Sequence, residues 1–412
     1  MSHHKPSGRG RAREVLPQLY LGKFSTGTLN SITDVPGVLA HTQSLQPDSD
    51  VNTGVTVILP RKDWLQHACF AGVFRFNGCG EMTGAHWINE TGILCSPIVI
   101  TATSSVGEGY RGVMELLYRR YRKDAEDLFM FPLIAETYDG FLSDAGRFAV
   151  TPKHVINGID SASGKAVPEG NTGGGTGMIC HRWKGGTGSS SRIVHGSAAA
   201  YTIGVLVQAN YGNKEDLRIG GIHIGRLLEE RHEQRRNSGQ EPRKDGSIII
   251  VIATDAPLLP IQLQRLARRA TVGLARVGGH GHNNSGDIFL AFSTANKVPM
   301  QIMPPEGTAD PDAPHPRTVE MTDNDSINNL FNAAADAVEE AIYNAMFMAE
   351  TMTGYKGRTI EALDLEKVKK IFAGRDGAVP LPFALRPRAS LHAHATEMML
   401  QHVASSNIIA SS

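Results

Sequence analysis

The sequence has no excess of charge: 41 Lys and Arg stand against 41 Asp and Glu in 412 residues, a formal net charge of +0. Nucleic acids and anionic membrane surfaces are held chiefly by basic patches, so neither is expected as a partner. Long apolar runs are missing as well. None approaches the roughly 20 residues that a membrane-crossing helix needs. The opening stretch, MSHHKPSGRGRAREVLPQLY, lacks the apolar core of a secretory leader. The expectation is a soluble protein. Cysteine is scarce, with only Cys69, Cys79, Cys95 and Cys180. Four thiols in so long a chain make no disulfide scaffold, and their spacing fits no CxxC zinc pattern. Buried, reduced thiols are expected, and with them a reducing, cytoplasmic location.

What is present is an ordinary globular balance, 41% hydrophobic and 20% charged. Short apolar runs alternate with glycine-rich turns. VTVILP at 55–60, ILCSPIVITAT at 93–103, YTIGVLVQANYG at 201–212 and DIFLAFST at 287–294 read as strands. Between 257 and 278 the spacing turns helical, with Leu263, Leu266, Ala267, Ala270 and Leu274 on one face and Arg265, Arg268 and Arg269 off it. A long helix is predicted from about Asp325 through Leu330, Val338, Ile342 and Ala345, with Gly354 as its C-cap. There is no regular β-α-β-α rhythm, so the fold class is α+β, a layered sandwich with sheets inside and helices outside. Residues 1–20 read as a flexible arm, 21–370 as a single domain and 371–412 as a C-terminal extension. The polar stretch 230–246 belongs on the surface, where a break in the chain would do least harm.

One boundary within that pattern stands out. EPRKDGSIIIVIATDAPLLP (241–260) changes within three residues from a charged loop to a strongly apolar run, with Asp245-Gly246-Ser247 at the junction. Taken alone, that is a turn leading into a buried strand. GGHGHNNSGDIFLAFST (278–294) makes a second glycine-rich entry to a strand. Together with AETYDGFLSD (135–144), NTGGGTGMICHRWKGGTGSSSR (171–192) and VQANYG (207–212), these stretches strongly resemble the L-aminopeptidase/D-esterase family, which includes the β-peptidyl aminopeptidases. The resemblance runs from about Asn30 to Gly354. Residues 1–20 and the tail after about 371 lie outside it.

The resemblance implies a four-layer α/β/β/α sandwich like that of N-terminal nucleophile hydrolases, with a topology shared with ornithine acetyltransferases. It implies that the chain cuts itself between Gly246 and Ser247 into residues 1–246 and 247–412. Ser247 then becomes both an N-terminus and the catalytic nucleophile. Ser285 and Asp287 match a second serine and its acidic partner, which would orient and tune Ser247; some members carry Glu where this chain has Asp287. The Asn210 side chain and the Tyr138 backbone N–H match the donors of an oxyanion hole, and Glu136 matches the acid that receives the substrate's ammonium. The implied substrates are small peptides, amides or esters, and the implied assembly is a homo-oligomer, a tetramer. The chemistry suits these residue types. A serine hydroxyl needs a base, and an N-terminal amine with an ordinary pKa of about 7.7–8.0 can serve near neutral pH. Gly246 has no Cβ, which makes a strained, attackable peptide there sterically possible. Every role is filled by protein groups, so no cofactor or metal is expected.

Three other readings have some support in the sequence. The glycine stretches NTGGGTG and KGGTGSSSR suggest a phosphate cradle and a non-catalytic ligand-binding protein, but no GxxxxGK[ST] string occurs. His280 and His282, or His392 and His394, are two-histidine pairs without the third ligand that a metal centre requires. An ornithine acetyltransferase-like acyl transferase would use threonine where this chain has Ser247.

Overall fold

Runs rich in Val and Ile form the strands, and these fall into two sheets. The structure, a computed structural model, describes residues 8–121, 130–229, 246–300, 313–314 and 316–374. The chain divides into two compact units, Met1–Val368 and Lys369–Ser412, and every element around the site belongs to the first. One sheet has the order β1-β2-β5-β6, made from β1 (Leu39–Leu45), β2 (Thr53–Leu59), β5 (Ile98–Ala102) and β6 (Leu133–Thr137). The other has the order β4-β3-β12-β11-β10-β9. Its strands are β3 (His67–Gly78), β4 (Ile93–Leu94), β9 (Gly186–His195), β10 (Ala200–Asn210), β11 (Ser247–Thr254) and β12 (Gly286–Pro299). Two short hairpins complete the set: β7 (Ile179–Cys180) with β8 (Trp183–Lys184), and β13 (Met352–Gly354) with β14 (Arg358–Ile360).

The two-residue period of a strand decides which face each side chain serves. Ile58, Ile98 and Ile100 of the first sheet meet Val73, Ile249, Val251 and Leu290 of the second in one core. Their neighbours Val57 and Val99 turn the other way, onto Val113 and Leu116 of helix Val106–Arg120 and Val155 of helix Pro152–Ser161. The outer face of the second sheet is covered by helices Pro260–Arg268 and Asn328–Phe347, and helix Ala270–Val277 packs against both of these. The result is the four-layer α/β/β/α sandwich that the resemblance implies.

β11 is buried at all eight positions, as befits a central strand. It pairs antiparallel with β10 and parallel with β12, and the two helices from Pro260 to Val277 make the crossover that a parallel neighbour requires. Each fully buried isoleucine of Ile248–Ile252 contributes about 2 kcal/mol of transfer free energy.

Several sequence expectations need correction. ILCSPIVITAT is two strands in different sheets: Pro97 has no N–H for a ladder, and β4 and β5 diverge around it. The helical region 257–278 is two helices meeting at Arg269, although its apolar face is buried as expected. The long helix ends at Phe347 rather than at Gly354. Gly354 lies in β13, where a Cβ would come 2.1 Å from the Leu142 carbonyl oxygen. Cys69, Cys95 and Cys180 are buried thiols, but Cys79 is exposed, because β3 ends one residue before it. The expected flexible arm is tied down from Arg9 onward. Arg9 donates to the carbonyls of Leu363 and Met346, and Arg13 pairs with Glu340. Its basic residues looked solvated because their partners lie more than 300 residues away. The 230–245 loop and the His392–His394 pair lie outside the described residues.

Candidate active site

At one point in the sandwich β6 and β10 end while β11 and β12 begin. Ser247, the first residue of β11, stands opposite Asn210, the last of β10, and opposite Gly286, the first of β12. β6 stops at Thr137, and Tyr138 follows. A cavity of about 650 Å³ opens there, with Ser247, Gly246, Asn210, Tyr138 and Glu136 in its wall. Five of the seven site residues named from the sequence thus share one pocket of ligand-binding size.

Ser247 Oγ accepts a hydrogen bond from the Gly286 N–H at 3.2 Å. Gly246 lies against the β10 backbone. A Cβ on it would come 1.5 Å from the Asn210 carbonyl oxygen and 2.6 Å from Tyr211 Cα, so no other residue fits. The glycine before the serine is therefore demanded by close approach to a neighbouring strand.

Asn210 is held at both ends of its amide. Oδ1 accepts from the Ile179 N–H at 2.8 Å, and Nδ2 donates to the Tyr138 carbonyl at 3.0 Å. A backbone N–H can donate only to Oδ1 and a carbonyl can accept only from Nδ2, so the network fixes which end is which. Nδ2 carries a second hydrogen, which leaves it one donor beyond the bond to Tyr138.

Ser285 and Asp287 flank Gly286 and do not line the cavity. Ser285 Oγ donates to Asp287 Oδ1 at 2.7 Å, while Oδ2 is buried with no partner. Neither side chain is hydrogen-bonded to Ser247 among the described residues. Burial pushes the Asp287 carboxyl up to about 6, against the bonds from Ser285 and the Ile248 backbone, which pull it down.

Glu136 is the fourth residue of β6 and only 3% exposed, unlike the solvated loop acid that its neighbourhood in the sequence suggests when taken alone. Oε1 accepts from the Glu81 N–H at 3.0 Å, and Oε2 accepts from the Thr103 hydroxyl. Burial raises its pKa above the ordinary carboxylate value, and those two bonds work in the opposite direction. Asp139, just beyond Tyr138, is pushed up to about 7 by burial, with Oδ2 unpartnered. No cation pairs with Glu136 or Asp139 among the described residues.

Sequence reasoning missed Thr103, Ile179, Asp139, Arg182 and Arg358. Thr103 merely follows β5, and Ile179 acts through its backbone, so neither carries a residue-type signal. Asp139 could have been noticed, since it sits in the AETYDG stretch itself. His280 and His282 stack with ring centres 5.6 Å apart, and His280 pairs with Asp216 at 3.5 Å.

The chain matches Peptidase family S58 over residues 30–360. It is 41% identical over 362 residues to the beta-peptidyl aminopeptidase BapA of Sphingosinicella microcystinivorans, covering 84% of this chain and 88% of that protein. Among solved structures, a Burkholderia sp. beta-aminopeptidase aligns with TM-score 0.79 and 41% identity, over 90% of this chain and 100% of the other. The L-aminopeptidase D-Ala-esterase/amidase of Ochrobactrum anthropi, described as a prototype serine aminopeptidase with a variant of the Ntn hydrolase fold, aligns with TM-score 0.77 and 40% identity. That alignment covers 88% of this chain and 98% of the other.

Proposed function

The chain belongs to peptidase family S58 and is an N-terminal serine aminopeptidase, and on that premise we propose how its own residues divide the work. Ser247 Oγ first attacks the Gly246 carbonyl carbon. The C–N bond breaks, the hydroxyl proton ends on the departing Ser247 nitrogen, and the Gly246 acyl group is left as an ester on Oγ. Water hydrolyses that ester and frees a chain of residues 1–246 from one of 247–412. The new α-amine of Ser247 is then the base that takes the Oγ proton when the hydroxyl attacks a substrate carbonyl. The oxyanion is met by the remaining Asn210 Nδ2 hydrogen and the Tyr138 N–H; a preorganised donor of this kind is worth about 3 kcal/mol of barrier. The substrate's amine leaves with that proton, and water releases the acyl group.

Glu136 receives the substrate's N-terminal ammonium. Its carboxyl is buried, already oriented by Thr103 and Glu81, and short of a cation. Asp287, bonded to Ser285 and carried on β12 next to β11, is assigned to biasing the ionisation of the new amine without touching substrate. Substrates are peptides, amides or esters with a free amino end.

The observation that carries this reading is the cavity at the start of β11, where Ser247, Asn210 and Glu136 share one wall. Intact mass should give chains of 1–246 and 247–412, and Ser247→Ala should stay whole and lose at least about a thousandfold in activity. Two chains of the same masses from Ser247→Ala would reject self-cleavage by this serine.

A further inference from the structure

Among the described residues, the cavity that holds the nucleophile has one carboxylate in its wall, Glu136, and two guanidinium groups, Arg182 and Arg358. If Glu136 takes the substrate's ammonium, both arginines are left over. Neither is paired with an acid among the described residues. Arg182 Nη2 donates to Asn213 Oδ1 at 3.1 Å, and its Nη1 is buried with no partner. Arg358 Nη1 donates to the Phe141 carbonyl at 3.3 Å, and its guanidinium lies over the Phe141 and Tyr355 rings at 4.9 and 5.7 Å. A half-buried guanidinium laid on rings is well suited to grip a carboxylate, which offers two acceptors to its fork of donors.

The way Arg182 is presented supports a role at this place. It is the second residue of the two-residue loop joining β7 to β8, and both loop residues, His181 and Arg182, have positive φ, at 50° and 64°. Such a turn favours Gly or Asn, and this chain uses neither. Backbone strain of that kind persists where the surroundings over-determine it. Here the His181 N–H is fixed to the Tyr211 carbonyl at 2.6 Å. Below the loop, the buried Lys184 ammonium ties the Met178 and Gly185 carbonyls at 2.9 and 2.8 Å. The hairpin therefore holds Arg182 at the cavity against the local preference of its backbone.

We propose that Arg182 and Arg358 bind the free C-terminal carboxylate of the substrate, so that the enzyme is directed to very short, unblocked peptides, dipeptides above all. This rests on the aminopeptidase reading and adds the leaving side of the substrate to it. A dipeptide presents an ammonium to Glu136 and a carboxylate to the arginines on either side of the bond above Ser247. A longer chain would place a neutral amide where the arginines expect a charge.

The test compares kcat/KM for alanyl-alanine with that for its C-terminal amide, following the released alanine or alaninamide. The wild type should prefer the free acid by at least about tenfold, the scale of one charge-assisted pairing. Arg182→Gln and Arg358→Gln should each bring the ratio toward one, and Arg358→Glu should turn it in favour of the amide. The ratio is the readout, because a merely structural role would slow both substrates alike and leave it unchanged. A wild-type ratio near one, or variants that slow both substrates equally, would overturn the carboxylate role. An aminoacyl p-nitroanilide (L-alanyl or β-alanyl) separates the two levels. If the wild type turns it over and the ratio is flat, only this inference fails; if it is not turned over at all, the aminopeptidase reading falls and takes the inference with it.

Discussion

Glu340 and Glu136 are both buried glutamates, and their surroundings move them in opposite directions. Glu340, on the long helix Asn328–Phe347, has no exposed side-chain surface, yet its pKa is held below the ordinary value. Burial alone would raise it. Arg192 at 2.7 Å, Arg13 at 2.9 Å and the Asn30 amide at 2.6 Å outweigh burial. Glu136 receives only a hydroxyl and an N–H, and no ion pair to Lys or Arg reaches Asp139 or Asp287 among the described residues, so burial prevails and all three are raised. Burial does not distinguish the two regions. The distinguishing feature is whether the fold brings its own counter-charge, and at the cavity it leaves that place to be filled from outside.

The comparison can be broken most forcefully on the structural side. Glu340→Ala strands the buried Arg192 guanidinium, and removing one partner of a buried pair typically costs about 3–5 kcal/mol. Urea unfolding in the uncut Ser247→Ala background should register a loss of that size, and a loss under about 1 kcal/mol would mean that the pairing is not what steadies this helix.

At Asp287, behind the nucleophile's strand rather than in the cavity wall, stability should instead change with pH. The Asp287 carboxyl is raised from 3.8 to about 6, so the fold favours its protonated form. That contribution is fully present below about pH 3.8 and is lost as pH rises through about 6. At pH 8 the buried charge then costs up to about 3 kcal/mol, from roughly two pKa units at 1.36 kcal/mol each. Asp287→Asn carries no such charge. Compared in the uncut Ser247→Ala background, where no new amine can pull the carboxyl back down, the Asn variant should gain on its parent by up to that amount between pH 4 and pH 8. A difference that stays flat with pH would show that Asp287 is not forced neutral.

The smallest effect concerns the missing counter-charge itself. Free-amine aminoacyl p-nitroanilides should exceed their N-acetylated forms in kcat/KM by at least tens of times, about 2 kcal/mol. Glu136→Gln should shrink that gap, chiefly by slowing the free-amine substrate. Equal rates for the two substrates on the wild type would leave a general amidase or esterase.

Much of this fold was legible because its strands are written as unbroken apolar runs: IIIVIAT could hardly lie anywhere but in a sheet interior. The α+β class followed from the missing β-α-β-α rhythm. The pairing did not follow. That β11 lies between β10 and β12, and that ILCSPIVITAT is divided between two sheets, depends on contacts remote in sequence. The same limit runs through the site. Ser247, Asn210 and Glu136 were named because whole stretches around them resemble a family. Thr103 and Ile179, which hold two of those residues in place, act through one hydroxyl and one backbone N–H. The N-terminal arm was misread for a related reason: Arg9 and Arg13 are unremarkable basic residues until the long helix and its flanks are folded against them.

The order of strands in the larger sheet bears on the fate of a severed chain. β11 and β12 come after the Gly246–Ser247 bond, while β10 and β9 on one side and β3 and β4 on the other come before it. A break at that bond leaves the later piece clasped between two parts of the earlier one, and no loop has to close to keep it there. Folding of the intact chain is a first-order event. Once cut and denatured, the same molecule would have to find its other half by collision, so recovery would depend on concentration and slow with every dilution. A cut at that bond would therefore convert a reversible fold into one whose lifetime is set by its rate of unfolding.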